Sequence, residues 1–167
     1  MSSSNRRTAL TALTAVAGSL LLAGCGFRLS RPPGLAFGSI ALTGFAPRSP
    51  LADEFRRRLA GQLQIVDAPA KADVVLHAID DARERSVVAS TAAAQVRELQ
   101  LRLKFNFRAH TPTGRELIPR ADLLLTRDMS YSEAQALAKE HEEAELFREM
   151  QADVVNQVLR RLAAVRV

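Results

Sequence analysis

The sole cysteine, Cys25, is the residue whose type and position most clearly predict a chemical step. It directly follows the small residues Ala23 and Gly24, and Ala23 ends a stretch of fifteen uncharged residues, Ala9–Ala23, behind a basic start. A basic start, a short apolar stretch and small residues before a cleavage point are typical of a secretory signal peptide. A membrane span needs about 20 apolar residues, so we expect residues 1–24 to be a cleaved leader.

The segment LLAGC, which ends at Cys25, resembles the lipobox of bacterial lipoproteins. This resemblance implies transfer of a diacylglyceryl group to Cys25 Sγ, cleavage before this residue, and acylation of the new amino terminus. Gly26, where an aspartate would retain a lipoprotein in the inner membrane, implies delivery to the outer membrane. Two or three acyl chains hold a protein firmly, because each buried methylene contributes about 0.8 kcal/mol. The alternative is an uncleaved signal anchor in which Cys25 is an ordinary small apolar residue.

No other pattern predicts catalysis or a cofactor. The sequence has no Gly-x-Ser-x-Gly elbow and no glycine-rich phosphate loop, and its histidines, at 77, 110 and 141, fall on three different predicted elements. We therefore expect neither an enzyme nor a metal site, and no cofactor beyond the covalent lipid. Nucleic-acid binding is not indicated either, because basic and aromatic residues are not interleaved.

Length and composition predict one domain behind the leader. Residues 25–167 suit a single compact domain of ordinary size. Removing the leader takes away two arginines and no acid, so the formal charge falls from +5 to +3. With one cysteine, no intramolecular disulfide can form. Adjacent prolines, Pro32 and Pro33, favour an extended tether, so we expect an acylated tether at 25–36 and the folded domain at 37–167.

Hydrophobic periodicity predicts the element order β-α-β-β-β-α. The first half contains a short strand at 39–43, a helix that Ser49 caps and Pro50 begins, and a strand from Val74. The clearest strand covers 95–110, where apolar and polar residues alternate with a period of two. A turn at 111–114 then predicts a hairpin with a return strand.

A long helix is predicted to end the chain. Ser132–Gln135 fits a capping box, and no glycine or proline follows up to Ala164. Apolar residues recur at steps of three and four, so one stripe of this helix should lie on the sheet. The stripe consists of Phe147, Met150, Val154, Val158, Leu162 and Val165.

The whole chain resembles the LptE family of LPS-assembly lipoproteins. The resemblance is carried by CGFRL after the leader, by the Glu98–Leu101 strand, and by the block from Tyr131 to Leu162. It implies an α+β fold, an α/β sandwich in which a four-stranded mixed sheet carries two helices on one face. It also implies an outer-membrane lipoprotein, anchored on the periplasmic side, that plugs the LptD β-barrel, assists its assembly and helps deliver lipopolysaccharide to the outer leaflet.

The same resemblance implies contacts with lipopolysaccharide phosphates. Lys139, in Leu137-Ala138-Lys139, matches one basic position of the family. The other lies at the tip between the second and third strands, where this sequence has no cation; Arg97 is near the tip and is the second candidate contact. The alternative function is a stand-alone outer-membrane lipoprotein that binds a periplasmic amphipathic ligand.

Overall fold

Five strands and two helices form the fold in the computed structural model, which describes residues 34–166. In chain order they are β1 (Ser39–Thr43), α1 (Pro50–Leu59), β2 (Gln64–Ile65), β3 (Val74–Ser90), β4 (Val96–His110), β5 (Glu116–Ser130) and α2 (Ala136–Ala163). Short 3-10 helices at Pro69–Lys71 and Glu133–Gln135 precede β3 and α2. The predicted leader, Cys25 and the tether up to residue 33 lie outside the described residues.

The sheet is mixed, as expected, but the prediction of four strands is wrong because a fifth strand is present. The strand order is β2-β1-β3-β4-β5, with β1 parallel to both of its neighbours and the other pairs antiparallel. The additional strand β2 pairs Gln64 with Ser39 and Ile65 with Ile40. Two residues are too few to produce an alternating pattern, so the sequence does not reveal this strand.

The first helix begins as its sequence predicts. Ser49 Oγ accepts a hydrogen bond from the Ala52 backbone N–H at 3.0 Å, and Pro50 occupies the first turn. Leu51, Phe55 and Leu59 are buried. The Phe55 ring lies 5.8 Å from the ring of Phe105 on β4, so α1 packs on the face of the sheet that carries the core.

The second helix covers the same face, but the predicted capping box is not formed. Ser132 makes no side-chain cap hydrogen bond, and the chain passes through a 3-10 turn before α2 begins at Ala136. The predicted stripe is buried throughout: Phe147, Met150, Val154, Val158, Leu162 and Val165 all belong to the core. The alternation of β4 is confirmed too, because Leu99, Leu101, Leu103, Phe105 and Phe107 are buried.

A β-bulge in β3 changes which side chains face the helices. The register with β4 shifts between Ala78, which lies opposite Phe107, and Asp80, which lies opposite Asn106. Because one extra residue reverses the alternation, Ala78 and Asp81 both face the helices although three positions separate them. Ile79 is the extra residue, and it is partly exposed.

The sheet divides into a wide end and a narrow end. Strand β1 pairs only with Val74–His77 of β3, so beyond Ala78 the sheet has three strands. The wide end, at which the chain enters β1, is called the basal end. The narrow end, formed by the β3–β4 turn, the end of β5 and the start of α2, is called the distal end. Fifteen residues in β4 span about 50 Å between them.

Candidate functional site

The two predicted lipopolysaccharide contacts lie together at the distal end. Arg97 is the second residue of β4, and its carbonyl oxygen accepts a hydrogen bond from the Tyr131 N–H at 2.8 Å. Lys139 lies in the first turn of α2, and its Nζ donates to Ser130 Oγ at 2.9 Å. Because Ser130 and Tyr131 are adjacent, the end of β5 links both cations.

Lys139 is held by protein groups rather than extended into solvent. Its Nζ also donates to Glu142 Oε2 at 2.7 Å, and only 13% of its side chain is exposed. An ammonium group has three donors, and two of them are used by Ser130 and Glu142. A phosphate group would therefore bind the remaining donor or replace Glu142.

Arg97 is more accessible. Its guanidinium donates to Gln95 Oε1 at 3.2 Å, and within residues 34–166 it has no acidic partner. It lines a shallow cavity of about 290 Å³, together with Gln95, Val96 and Ser132–Ala134. Lys139 does not line this cavity, so the structure brings the two cations to one end of the fold but not into one pocket.

The tip beside these cations is a tight turn. Thr91 N–H donates to the Gln95 carbonyl at 2.8 Å, and Ala94 N–H donates to the Thr91 carbonyl at 2.9 Å. Thr111, Gly114 and Arg115 close the β4–β5 turn by the same pair of bonds. Ala94 takes the position that Gly114 occupies there, and both have positive φ, +60° and +89°.

A set of polar side chains that periodicity did not predict fixes β3 to both helices. Arg83 lies on the helix-facing side of β3, with its guanidinium 5.2 Å from the Phe147 ring centroid. The amide orientation that satisfies the hydrogen-bond network turns Gln151 Oε1 towards Arg83, where it accepts from Nε at 3.2 Å and from Nη2. Burial lowers the pKa of Arg83, and the nearby charge of Asp81 opposes this effect.

Two further contacts extend this set along the strand. Asp81 accepts a hydrogen bond from the Ser49 hydroxyl at the start of α1, and Arg85 pairs with Glu143 of α2 at 3.2 Å. Gln151 is the residue that could have revealed this polar set from the sequence. It is 2% exposed, and a glutamine beside the apolar stripe of α2 requires a polar partner.

The part of the chain that the structure describes contains no group of three or more His, Cys, Asp or Glu residues suited to a metal. Burial, with the nearby charges of Arg108 and His110, lowers the pKa of His77, whose Nδ1 lies 3.0 Å from Thr43 Oγ1. This histidine is thus packed at the sheet rather than placed in a polar cleft. Among the described helices, none is both long enough and apolar enough to span a bilayer.

A sequence profile of the LptE family, described as lipopolysaccharide-assembly, matches residues 37–162. The chain belongs to the LptE family. Membership gives this LptE chain a role in lipopolysaccharide assembly and an association with the cell envelope. The family is one of non-enzymatic assembly lipoproteins.

Solved structures with the same fold agree with this assignment. An uncharacterized lipoprotein B from Nitrosomonas europaea is 27% identical, with a TM-score of 0.69 over 83% of this chain and 91% of that one. A rare lipoprotein B from Shewanella oneidensis is also 27% identical, with a TM-score of 0.63 over 76% and 95%. A minor lipoprotein from Acinetobacter baumannii, at 21% identity, shares the fold with a TM-score of 0.62 over 78% and 93%. No curated protein sequence matches the chain.

Proposed function

We propose that this LptE chain is an outer-membrane lipoprotein that plugs the LptD β-barrel, assists its assembly and helps deliver lipopolysaccharide to the outer leaflet. The observation that carries the plugging role is the shape of the distal part of the domain. Beyond Ala78 it consists of three long strands covered by α2. Three strands at about 4.8 Å spacing are only about 10 to 15 Å across.

These dimensions suit the interior of a large barrel. The apolar band of an outer-membrane barrel is about 25 Å tall, and barrels of around 22 strands enclose a lumen that a domain can fill. Beyond the bulge, Asp80–Ser90 of β3 extends for about 35 Å. The narrow part of the domain is therefore long enough to pass through the full height of such a lumen.

The face of the sheet opposite the helices has the chemistry of a surface in contact with a polar lumen. Its side chains are mostly polar, and some of them pair within the face: Lys104 Nζ lies 2.5 Å from Glu84 Oε1, and Gln100 donates to Asp128 at 3.0 Å. Barrel interiors are polar, so a face of this kind can enter one without leaving polar water for an apolar surface. Leu124, 59% exposed on this face, is the main apolar exception.

Cross-linking in intact cells tests the barrel contact. A photo-reactive residue at position 124 should form an adduct with LptD, whereas the same residue at Lys71, which is exposed near the basal end, should form much less. Co-purification from detergent extracts is the second measurement. A stand-alone carrier of an amphipathic ligand would give no barrel adduct at either position and would purify free of the barrel.

The membrane anchor in this proposal is the lipid on Cys25. Replacing Cys25 by Ala removes the only thiol, so the leader should remain attached and acyl labelling should be lost. Intact-mass analysis of the purified protein checks both results. Acyl labelling of the Cys25→Ala variant at the wild-type level would contradict the anchor.

Lys139 and Arg97 are the proposed contacts for lipopolysaccharide phosphates. Both cations lie at the distal end, and a lysine or arginine donates charge-assisted hydrogen bonds to phosphate oxygens. The distal end enters the barrel in this proposal, so the cations would meet lipopolysaccharide inside the lumen. The paired substitutions developed in the Discussion test this contact.

A further inference from the structure

The basal end carries a second basic surface, about 40 Å from Lys139 and Arg97. A groove of about 460 Å³ lies between the first residues of β5 and the end of α2. Its apolar part is formed by Leu117, Ile118, Pro119, Ala164 and Val165. Its charged part is formed by three arginines and one acid: Arg115, Arg161, Arg166 and Glu116. The groove therefore combines an apolar floor with guanidinium groups, which suits the head and upper chain of an anionic lipid.

These arginines differ from the other arginine-rich surface of the domain. On α1, Arg56 pairs with Asp53, and both Arg57 and Arg58 pair with Glu54. Within the described residues, no acidic side chain lies within ion-pair distance of the three groove arginines. Three arginines against the single carboxylate of Glu116 leave the groove lining with a net charge of +2, which favours an external anion.

A favourable interaction with the dipole of α2 explains the position of only one of the three groove arginines. Cations near a helix C-terminus are stabilised by the partial negative charge of the last carbonyl groups, and Arg161 lies in the last turn of α2. Arg115 precedes β5, and Arg166 follows the helix. The dipole therefore does not account for the position of all three.

Strand register places the groove at the end where the chain enters the fold. Ile40 of β1 lies opposite Val74, Val75 opposite His110, and His110 opposite Glu116. The start of β1 and the start of β5 thus lie in neighbouring rows across the sheet. Three strand spacings separate them, which amounts to about 15 Å.

The proposed lipid anchor keeps this end within reach of the bilayer. Gly34 lies nine positions after Cys25, and nine extended steps of the chain reach about 30 Å. The tether therefore limits the distance of the basal end from the lipid headgroups to about 30 Å.

We propose that this basal groove binds the anionic headgroups of phospholipids in the leaflet that holds the lipid anchor, and so sets the depth and orientation of the domain. This inference rests on the anchoring part of the proposed function and goes beyond it. A basic residue near an anionic surface contributes about 1 kcal/mol, which corresponds to about a fivefold change in partitioning.

Chemical protection of arginines tests the proposal with the complete lipid-carrying protein. The protein is placed in excess vesicles of phosphatidylcholine alone or of phosphatidylcholine with phosphatidylglycerol, and phenylglyoxal modification is followed by mass spectrometry. Arg115, Arg161 and Arg166 should react about fivefold more slowly on the anionic vesicles. About 1 M salt should remove the difference, because it shortens the screening length to about 3 Å. Arg56 and Arg57 are internal controls and should react equally on both vesicles.

Two double variants, each of which loses two positive charges, distinguish headgroup binding in the groove from general electrostatic attraction to the membrane. Arg115→Gln/Arg166→Gln should remove most of the protection of Arg161, and Arg57→Gln/Arg58→Gln should leave it unchanged. Equal reaction rates on the two vesicle types, or equal protection of the α1 arginines, would overturn the proposal. Protection produced by inorganic phosphate with neutral vesicles would overturn the membrane lipid as the occupant.

Failure of the anchor gives a different result from failure of the groove. A chain without its lipid would remain in the supernatant when neutral vesicles are sedimented, yet its groove arginines would still be protected by excess anionic vesicles. A chain whose groove does not bind headgroups would sediment with both vesicle types and show no difference in protection.

Discussion

Replacing Lys139 and replacing Glu142 break the same ion pair. If Lys139 binds phosphate, however, the two replacements should have opposite effects on the affinity for lipopolysaccharide. Lys139→Gln removes the cation that would bind lipopolysaccharide. Glu142→Gln removes the carboxylate that competes for this cation at 2.7 Å. The neutral replacement is preferred to Lys139→Glu, because a new negative charge would repel the phosphate and so would not report the loss of the cation alone.

The magnitudes follow from the two kinds of interaction. A hydrogen bond to a charged group contributes about 1.5–3 kcal/mol, so Lys139→Gln should weaken lipopolysaccharide binding by about 10- to 150-fold. Glu142 is 45% exposed, and a pair of this kind contributes about 0.2–1 kcal/mol. Glu142→Gln should therefore strengthen binding by up to about fivefold. Glu142→Gln loses only this ion pair, whereas Lys139→Gln also loses the hydrogen bond to Ser130, so Lys139→Gln should lose somewhat more folding stability.

Titration of the purified protein with lipopolysaccharide at fixed low salt measures the binding, and urea unfolding of both variants is the control. Arg97→Gln should weaken binding as well, because Arg97 is exposed beside the same strand end. Equal weakening by Lys139→Gln and Glu142→Gln would show that Lys139 acts through the fold, and this result would falsify its role as a phosphate ligand. Unchanged binding in both would place the site elsewhere.

Three predictions concern the stability of the fold. A double-mutant cycle of Arg83→Met and Gln151→Leu, measured by urea unfolding, should give a coupling energy of about 1.5–3 kcal/mol. Additive effects of the two replacements would contradict the contact between these residues. Ala94→Gly should stabilise the domain by about 1 kcal/mol and Gly114→Ala should destabilise it similarly, because both sites have positive φ; thermal unfolding measures both. Hydrogen bonds from the Ser39 side chain and from backbone N–H groups lower the pKa of Asp73 in the folded protein. The charged form of Asp73 therefore stabilises the fold fully above the unfolded pKa of about 3.9, and this stability is lost as the pH falls through the lower pKa of the folded state. Asp73→Asn should thus be less stable than the wild type at pH 7 and approach it in acid, and a difference independent of pH would refute this linkage.

Most of the element order could be predicted because the relevant signals are local. The alternation of β4 extends over an entire strand, and Ser49-Pro50 supplies both a cap and a favourable first residue for α1. The buried stripe of α2 repeats over several turns. Each of these signals is long enough, or chemically specific enough, to be recognised without knowledge of its tertiary partners.

The features that were missed depend on neighbours distant in sequence. Strand β2 exists because Gln64 and Ile65 find the free edge of β1. Arg83 and Arg85 give their segment the composition of a solvated turn, yet both face the helices because α2 supplies Gln151 and Glu143 as partners. A polar residue on a core-facing position cannot be recognised until its partner is placed opposite it.

The candidate site was predicted only in part for the same reason. Family resemblance pointed to Lys139, and the structure does place it at one end with Arg97. Sequence spacing could not show that Ser130 and Glu142 already occupy its ammonium group. The basal groove was also missed, because β5 and the end of α2 contribute its arginines from segments about 45 residues apart.

The bulge at Ile79 gives β3 one place where a change in length does no harm. Ala78 lies opposite Phe107 and Asp80 opposite Asn106, so deleting Ile79 would leave both pairs, and every later side chain, on its present side of the sheet. Deleting Ala82 instead would turn Arg83 away from Gln151 and bring Glu84 into the helix-facing layer. Relatives that keep this helix-facing polar set should therefore vary in length at the bulge or at the β3–β4 turn, and not between Asp81 and Arg85.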